Sequence, residues 1–306
     1  MRVSDKIIYC LNGAAVGDLV AAAPVVKFMI DYYHQNADYR VALIEDFREI
    51  FWFVPDDKII PVAEKYDPSF AVRKLNMDGG GGNVARLTPS RLKLTHYACI
   101  GLTSRILPDS VLKYVPLPEV DVSKFNVDFS KAAIFITTYR DITRAWKGSE
   151  IIKVAKYVEE QGLTPVFIGK TGKFSIWKTL AVSDFEDPGF GVDLRNQTTL
   201  SELATIMGKS KVVFGMDSGP LHLAFTTNVP VVAGFTNVEP TLRIPARDSG
   251  ALTSVVVPKS ICRFCQSNMN LDFWNFTKCP RGQQLPECTQ QMTGEEFIEA
   301  FKRLNL

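Results

Sequence analysis

The sequence predicts an α/β protein built from two doubly wound halves, each a parallel sheet flanked by helices. Three observations carry this. Short apolar runs that read as buried strands alternate with helical stretches, and the alternation occurs twice, before and after a stretch without periodicity. At 306 residues the chain has room for two domains of roughly 150 residues each.

The elements follow in order. Lys6 to Leu11 reads as a first buried strand, Asn12 to Gly17 as a loop of small residues, and Asp18 as the start of an apolar helix running toward Tyr33. Arg40 to Ile44 and Ile59 to Val62 read as further strands. Asp78-Gly-Gly-Gly-Gly-Asn83 predicts a mobile surface loop, Leu92 to Leu102 a helix, and Val115-Pro-Leu-Pro118 an exit punctuated by proline. Periodicity is lost over Glu119 to Lys131, which reads as a linker. The strand Ala132 to Thr137 then opens the second half, followed by helix Ser149 to Gln161, strand Pro165 to Ile168, helix Leu200 to Met207 and strand Lys211 to Phe214. That strand is expected to break at Gly215. A further strand is expected over Val229 to Phe235 and an amphipathic last helix over Glu295 to Leu304. The expected domains are 1–125 and 126–306, the second carrying a cysteine-rich segment, 262–288. Two such halves usually hold a ligand in the cleft between them.

Hydrophobic residues make up 46% of the chain and charged residues 22%, the balance of a globular protein with a sizeable core. The net charge of +2 argues against a dedicated nucleic-acid binder without excluding a local basic patch. The longest apolar candidate, Ile7 to Ile30, is interrupted by Asn12 and Asp18, and its first block is too short for a signal-peptide core. No transmembrane segment is expected, and the expected location is cytoplasmic, with peripheral attachment at the inner membrane face as a variant.

Three loops at strand ends carry candidate chemistry. Gly17-Asp18 closes the first strand–loop–helix unit, where open α/β sheets place ligands. The loop lacks G-x-G-x-x-G and a Walker pattern, so it is a poor phosphate cradle. A carboxylate there suits a general base, and equally a helix cap. Tyr139-Arg-Asp-Ile-Thr-Arg-Ala-Trp-Lys147 places three cations just after a strand. Arg144 and Lys147 could neutralise a diphosphate, or the loop could simply be solvated. Asp217-Ser-Gly-Pro-Leu-His222 follows the Val212–Phe214 strand and opens a helix, where free N–H groups suit an anion. The alternative is that Asp217 or Ser218 is an N-cap and His222 a packed core histidine.

Cys262-x2-Cys265-x13-Cys279-x8-Cys288 has the form of a metal staple in a segment with little to form a core. Thiolate-only coordination suits structural zinc or iron, since it leaves no open position; disulfides are the alternative. Cys10 and Cys99 lie in apolar surroundings and read as core residues.

Taken together, these residues resemble the heptosyltransferase-like inverting glycosyltransferases, the family of the ADP-heptose:lipopolysaccharide heptosyltransferases. Val16-Gly-Asp-Leu-Val-Ala-Ala-Ala-Pro-Val-Val-Lys27, Thr95-His-Tyr-Ala-Cys-Ile-Gly-Leu102 and the segment from Leu194 to Pro240 carry the likeness. The resemblance implies a GT-B fold, two Rossmann-like domains facing a central cleft, the first binding the acceptor and the second the nucleotide-sugar. It implies Asp18 as the base that deprotonates an acceptor hydroxyl. It also implies a donor such as ADP-heptose with its diphosphate at the helix start, in a site of Thr138, Arg144, Lys147, Asp217, Ser218, Gly219, Pro220 and His222. No catalytic metal is expected. Arg144-Ala-Trp146 stands where the family usually has a lysine two residues before the tryptophan, and Lys147 where proline is common. The cysteines resemble the four-cysteine finger of an iron-binding, protein-glycosylating branch. Glycan, lipid, protein and modified nucleic-acid acceptors all stay open, as does oligomerisation. The competing readings are a nucleotide-binding oxidoreductase, disfavoured by the missing G-x-G-x-x-G, and a non-catalytic scaffold of the same fold.

Overall fold

A computed structural model describes residues 6–11, 15–75, 102, 107–139, 142–171, 183–265 and 279–306. The tetraglycine loop, Cys99, Arg140 and almost all of the predicted helix Leu92 to Leu102 lie outside these residues. Two compact units form. The first comprises Met1–Pro118 together with Ile244–Ala246; the second comprises Glu119–Arg243 and Arg247–Leu306.

In the first unit, β1 (Lys6–Cys10), β2 (Asp38–Leu43), β3 (Ile59–Pro61) and β4 (Ala71–Lys74) form a parallel sheet in the order β3-β2-β1-β4. The central strand β1 buries four of its five residues, as a strand covered on both faces must. Helix α1 (Val16–Tyr33) follows it, with its first turns rich in Leu, Val and Ala and almost wholly buried. Ile244–Ala246 joins this unit through a parallel bridge between Ala246 and Lys113, and the Ala246 N–H donates to the Leu112 carbonyl at 2.9 Å.

In the second unit, six parallel strands stand in the order β10-β9-β8-β5-β6-β7: β5 (Ala132–Ile136), β6 (Thr164–Ile168), β7 (Val192–Asp193), β8 (Val212–Met216), β9 (Val231–Gly234) and β10 (Thr253–Val256). Helices α2 (Gly148–Glu160), α3 (Leu200–Lys209), α4 (Gly219–Ala224), α5 (Glu287–Gln290) and α6 (Gly294–Lys302) complete it. Both β5 and β8 are buried throughout, and Phe135 and Phe214 stack across them with ring centroids 4.9 Å apart. The alternation of parallel strands and helices in both units is the predicted α/β class.

Several boundaries differ from the sequence expectation. Strand β8 does not break at Gly215 but runs through it to Met216, because a side chain there would meet Ile136 at 2.5 Å: the glycine lets β5 pack close. Helix α1 begins at Val16, so Asp18 lies inside its first turn. Strands β4, β7 and β10 had no clear sequence signal. All three are at sheet edges, and β7 has only two residues, too few for any periodicity to register.

Candidate functional site

The site in the second unit is assembled at the carboxyl ends of β5, β8 and β9. Beyond β5, the chain is not a solvated loop. Tyr139 is buried with its hydroxyl donating to the Ile136 carbonyl, Thr143 is buried, and Trp146 is buried with its indole stacked on Phe297, ring centroids 3.8 Å apart. Thr138 is buried and its Oγ1 accepts from the Lys170 N–H at 3.1 Å. Gly169 approaches so closely that a Cβ would lie 2.5 Å from that hydroxyl. Lys147 is the N-cap of α2, its carbonyl accepting from the Glu150 and Ile151 N–H groups at 3.0 Å each.

Asp217 is the electrostatic centre. It is 2% exposed and follows β8 directly, its N–H donating to the Gly234 carbonyl at 2.9 Å. Arg243 Nε stands 3.4 Å from its Oδ2, Arg144 Nη1 3.6 Å from the same oxygen, and His222 Nε2 3.6 Å from Oδ1. Arg144 Nη1 also reaches the Asp217 carbonyl at 3.4 Å. Burial alone would raise the carboxyl pKa, but Arg243, His222 and Arg144 outweigh it and hold the group well below the usual carboxylate range. Asp217 is therefore an anion with two guanidinium groups beside it. All contacts are longer than 3.3 Å, so the carboxylate oxygens keep unused acceptor capacity.

Ser218 is the N-cap of α4, extended at φ −159° and ψ 166°, and its buried Oγ has no hydrogen-bond partner among the described residues. Gly219 and Pro220 form the first turn, Pro220 occupying a position where the missing N–H costs nothing. His222 is buried, as the core-histidine alternative expects, and its ring stands beside Asp217; it also meets Phe225 edge-on. Arg243 carried no sequence signal: it follows a short turn, Pro240–Leu242, distant in sequence from the strand it serves.

Asp18 belongs to the first unit. Its Oδ2 accepts from the Ala15 N–H at 3.1 Å, the back-bonding arm of a capping box. The carboxylate is half-buried at the amino end of α1, where helix N–H groups favour an anion.

Cys279 and Cys288 are buried and Cys262 and Cys265 half-buried. The Cys288 thiol is pushed up to about 12 by burial and then by Cys262, Cys265 and Cys279. Among the described residues, no three His, Cys, Asp or Glu side chains converge as a bound metal would require. No disulfide joins two of the described cysteines. Among the described residues no helix is long and apolar enough to cross a membrane.

Residues 116–270 match the family model of glycosyltransferase family 9 (heptosyltransferase). Among solved structures, the chain is similar to the iron-containing dodecameric glycosyltransferase TibC from enterotoxigenic E. coli H10407, with 16% identity and a TM-score of 0.73 over 100% of this chain and 77% of that one. TibC has also been solved with ADP-D-beta-D-heptose, TM-score 0.71 at 16% identity, with the same coverage of both chains. A glycosyl transferase family 9 protein from Veillonella parvula DSM 2008 gives a TM-score of 0.64 at 14% identity, covering 99% and 98% of the two chains. The E. coli ADP-heptose lps heptosyltransferase II gives 0.54 at 13% identity, covering 97% and 98%. No curated protein matches the chain in sequence. These likenesses fix the fold as the two-unit GT-B type.

Proposed function

This chain belongs to glycosyltransferase family 9 (heptosyltransferase), and we propose that it transfers a heptose-type sugar from an ADP-activated donor to an acceptor hydroxyl with inversion at the anomeric carbon. In one displacement the acceptor oxygen attacks that carbon, its proton passes to the Asp18 carboxylate, and the bond from carbon to the diphosphate oxygen breaks. The electron pair leaves with the nucleoside diphosphate, whose added charge needs fixed cations and N–H donors.

One observation carries the donor half of this reading. The buried Asp217 carboxylate stands within 3.6 Å of Arg144, Arg243 and His222 at the carboxyl edge of a parallel sheet. A lone carboxylate would repel a diphosphate, but here two guanidinium groups stand beside it, and guanidinium groups suit a diphosphate. We assign Thr138, Lys147, Ser218, Gly219 and Pro220 to the same donor site. Ser218 Oγ, buried and without a partner among the described residues, supports a ligand oxygen as its missing partner. The likeness to TibC, a dodecamer solved with ADP-D-beta-D-heptose, supports ADP-heptose as the donor and an oligomer as the working form.

Cys262, Cys265, Cys279 and Cys288 are proposed to hold a structural zinc or iron ion. The donor set fits in kind: four thiolates suit either ion, and a bound cation would offset the repulsion that, after burial, raises the Cys288 thiol. Bound there, the ion would supply a cross-link and no open position for chemistry. The likeness to the iron-containing TibC supports the same reading.

The deciding experiment is calorimetric titration with ADP, UDP, GDP and NAD, followed by mass spectrometry of products from ADP-heptose with glycan and peptide acceptors. ADP binding in preference to NAD, and a mass gain of one heptose on an acceptor, is the expected result. NAD binding without ADP binding would place the protein among oxidoreductases instead.

A further inference from the structure

Thr236 and Asn237 follow β9 at the sheet edge, and nothing in the donor-site reading above uses them. Both are buried, at 0% and 1% exposure. Thr236 Oγ1 donates to the Thr143 carbonyl, and Asn237 Nδ2 donates to Thr143 Oγ1 at 2.9 Å. Two consecutive residues thus hold the backbone and the side chain of one threonine in the loop beyond β5. The next residue is Arg144, whose guanidinium reaches Asp217. The Thr236 carbonyl in turn accepts from the Phe264 N–H at 2.6 Å, inside the turn between Cys262 and Cys265, where Phe264 takes a left-handed φ of 57°.

Burying a threonine and an asparagine costs desolvation, which hydrogen bonds must offset. An apolar pair would fill the space without that cost. What the polar pair adds is a fixed direction for the loop it grips. Arginine has a long, rotatable stem, so its value at a charged ligand depends on how firmly its backbone is set.

We propose that Thr236 and Asn237 form a positioning clamp that fixes Thr143 and thereby the approach of Arg144 to the donor diphosphate. The inference rests on the assignment of Arg144 to the donor site. The clamp also ties the turn of Cys262 and Cys265 to the same loop, so the cysteine segment and the donor cation are set by one residue.

The test measures the Kd for ADP in the wild type, Thr236→Val, Thr236→Ser, Arg144→Ala and the double variant Thr236→Val/Arg144→Ala. Thr236→Val keeps the shape and removes the hydroxyl, and is expected to weaken ADP binding about five- to tenfold, the effect of one hydrogen bond. Thr236→Ser is expected to restore it to within about twofold. In the Arg144→Ala background, Thr236→Val is expected to change the Kd less than about twofold, because the clamp then has nothing to aim. Equal weakening in both backgrounds, or no rescue by serine, would overturn the clamp in favour of simple packing. If Thr236→Val does not fold, Asn237→Ala enters the same cycle with the same expectations. A wild type that binds neither ADP nor any other nucleoside diphosphate removes the donor reading and the clamp together. A wild type that binds ADP beside an equally tight Thr236→Val removes the clamp alone.

Discussion

Arg243 Nε lies 3.4 Å from the buried Asp217 Oδ2, and the pairing reverses what burial alone would do to the carboxyl. Because the folded pKa of Asp217 is depressed, its contribution to stability is complete above the ordinary carboxylate pKa of about 4 and is lost as pH falls toward the folded value. Asp217→Asn is therefore expected to lose about 3 kcal/mol at pH 7, the scale for removing one member of a buried pair. The wild type should lose stability more steeply than the variant below about pH 4. Urea denaturation at stepped pH measures both, and parallel pH profiles would contradict the assignment of Asp217 as a buried anion.

Asp18→Asn separates chemistry from binding. The amide oxygen can still accept from the Ala15 N–H, so α1 should stay capped, while the side chain no longer takes a proton. Transfer is expected to fall by about 10²- to 10⁴-fold, the range for a positioned base. ADP affinity should stay within about twofold of wild type. Unchanged turnover would remove Asp18 from the mechanism.

Gly148→Ala sets helix propensity against packing. Gly148 opens α2, where alanine is the better helix former by about 1 kcal/mol. Yet a Cβ would lie 2.7 Å from both the Asp184 carbonyl oxygen and the Phe185 Cα, which are backbone and cannot rotate away. The Gly148 N–H also donates to Asp184 Oδ1 at 2.7 Å, a contact that forced separation would break. Net destabilisation of about 1–3 kcal/mol is expected. A rise in melting temperature would mean that the close approach is absent in solution.

The cysteine segment should respond to metal. Purified protein is expected to contain about one zinc or iron per chain, and a strong chelator to lower its melting temperature. Cys288→Ser should abolish the stoichiometric metal. Metal-free protein with an unchanged melting temperature would leave the thiols as packing groups only.

What the sequence made legible follows from where each signal resides. The strands β1, β5, β6 and β8 are buried on both faces, so they stand out as apolar runs, and the α/β class follows from their alternation with helices. Edge strands such as β4 and β10 are half-exposed and mixed in composition, and blend with the loops. In the site, the Asp217–His222 segment was visible because its residues are adjacent in sequence. Arg243, Thr236 and Asn237 were not, since their roles depend on partners in other loops: Asp217 for the first, Thr143 for the other two. The inward packing of Tyr139, Thr143 and Trp146 was equally hidden, because the charged residues around them suggested solvent.

The short excursion of Ile244–Ala246 has a consequence for anyone who would recombine this protein. The first unit is not one continuous stretch of chain: Ala246 supplies the N–H that the Leu112 carbonyl accepts, and the bridge to Lys113 is made by a segment spelled out far downstream. A gene cut after Pro118 would yield a half with an unfilled seam. A chimera that swaps only the first 118 residues for those of a relative would ask foreign backbone to receive three native ones, directly beside Arg243. Exchanging the first unit of this scaffold therefore means transplanting two pieces of sequence, one long and one three residues in length.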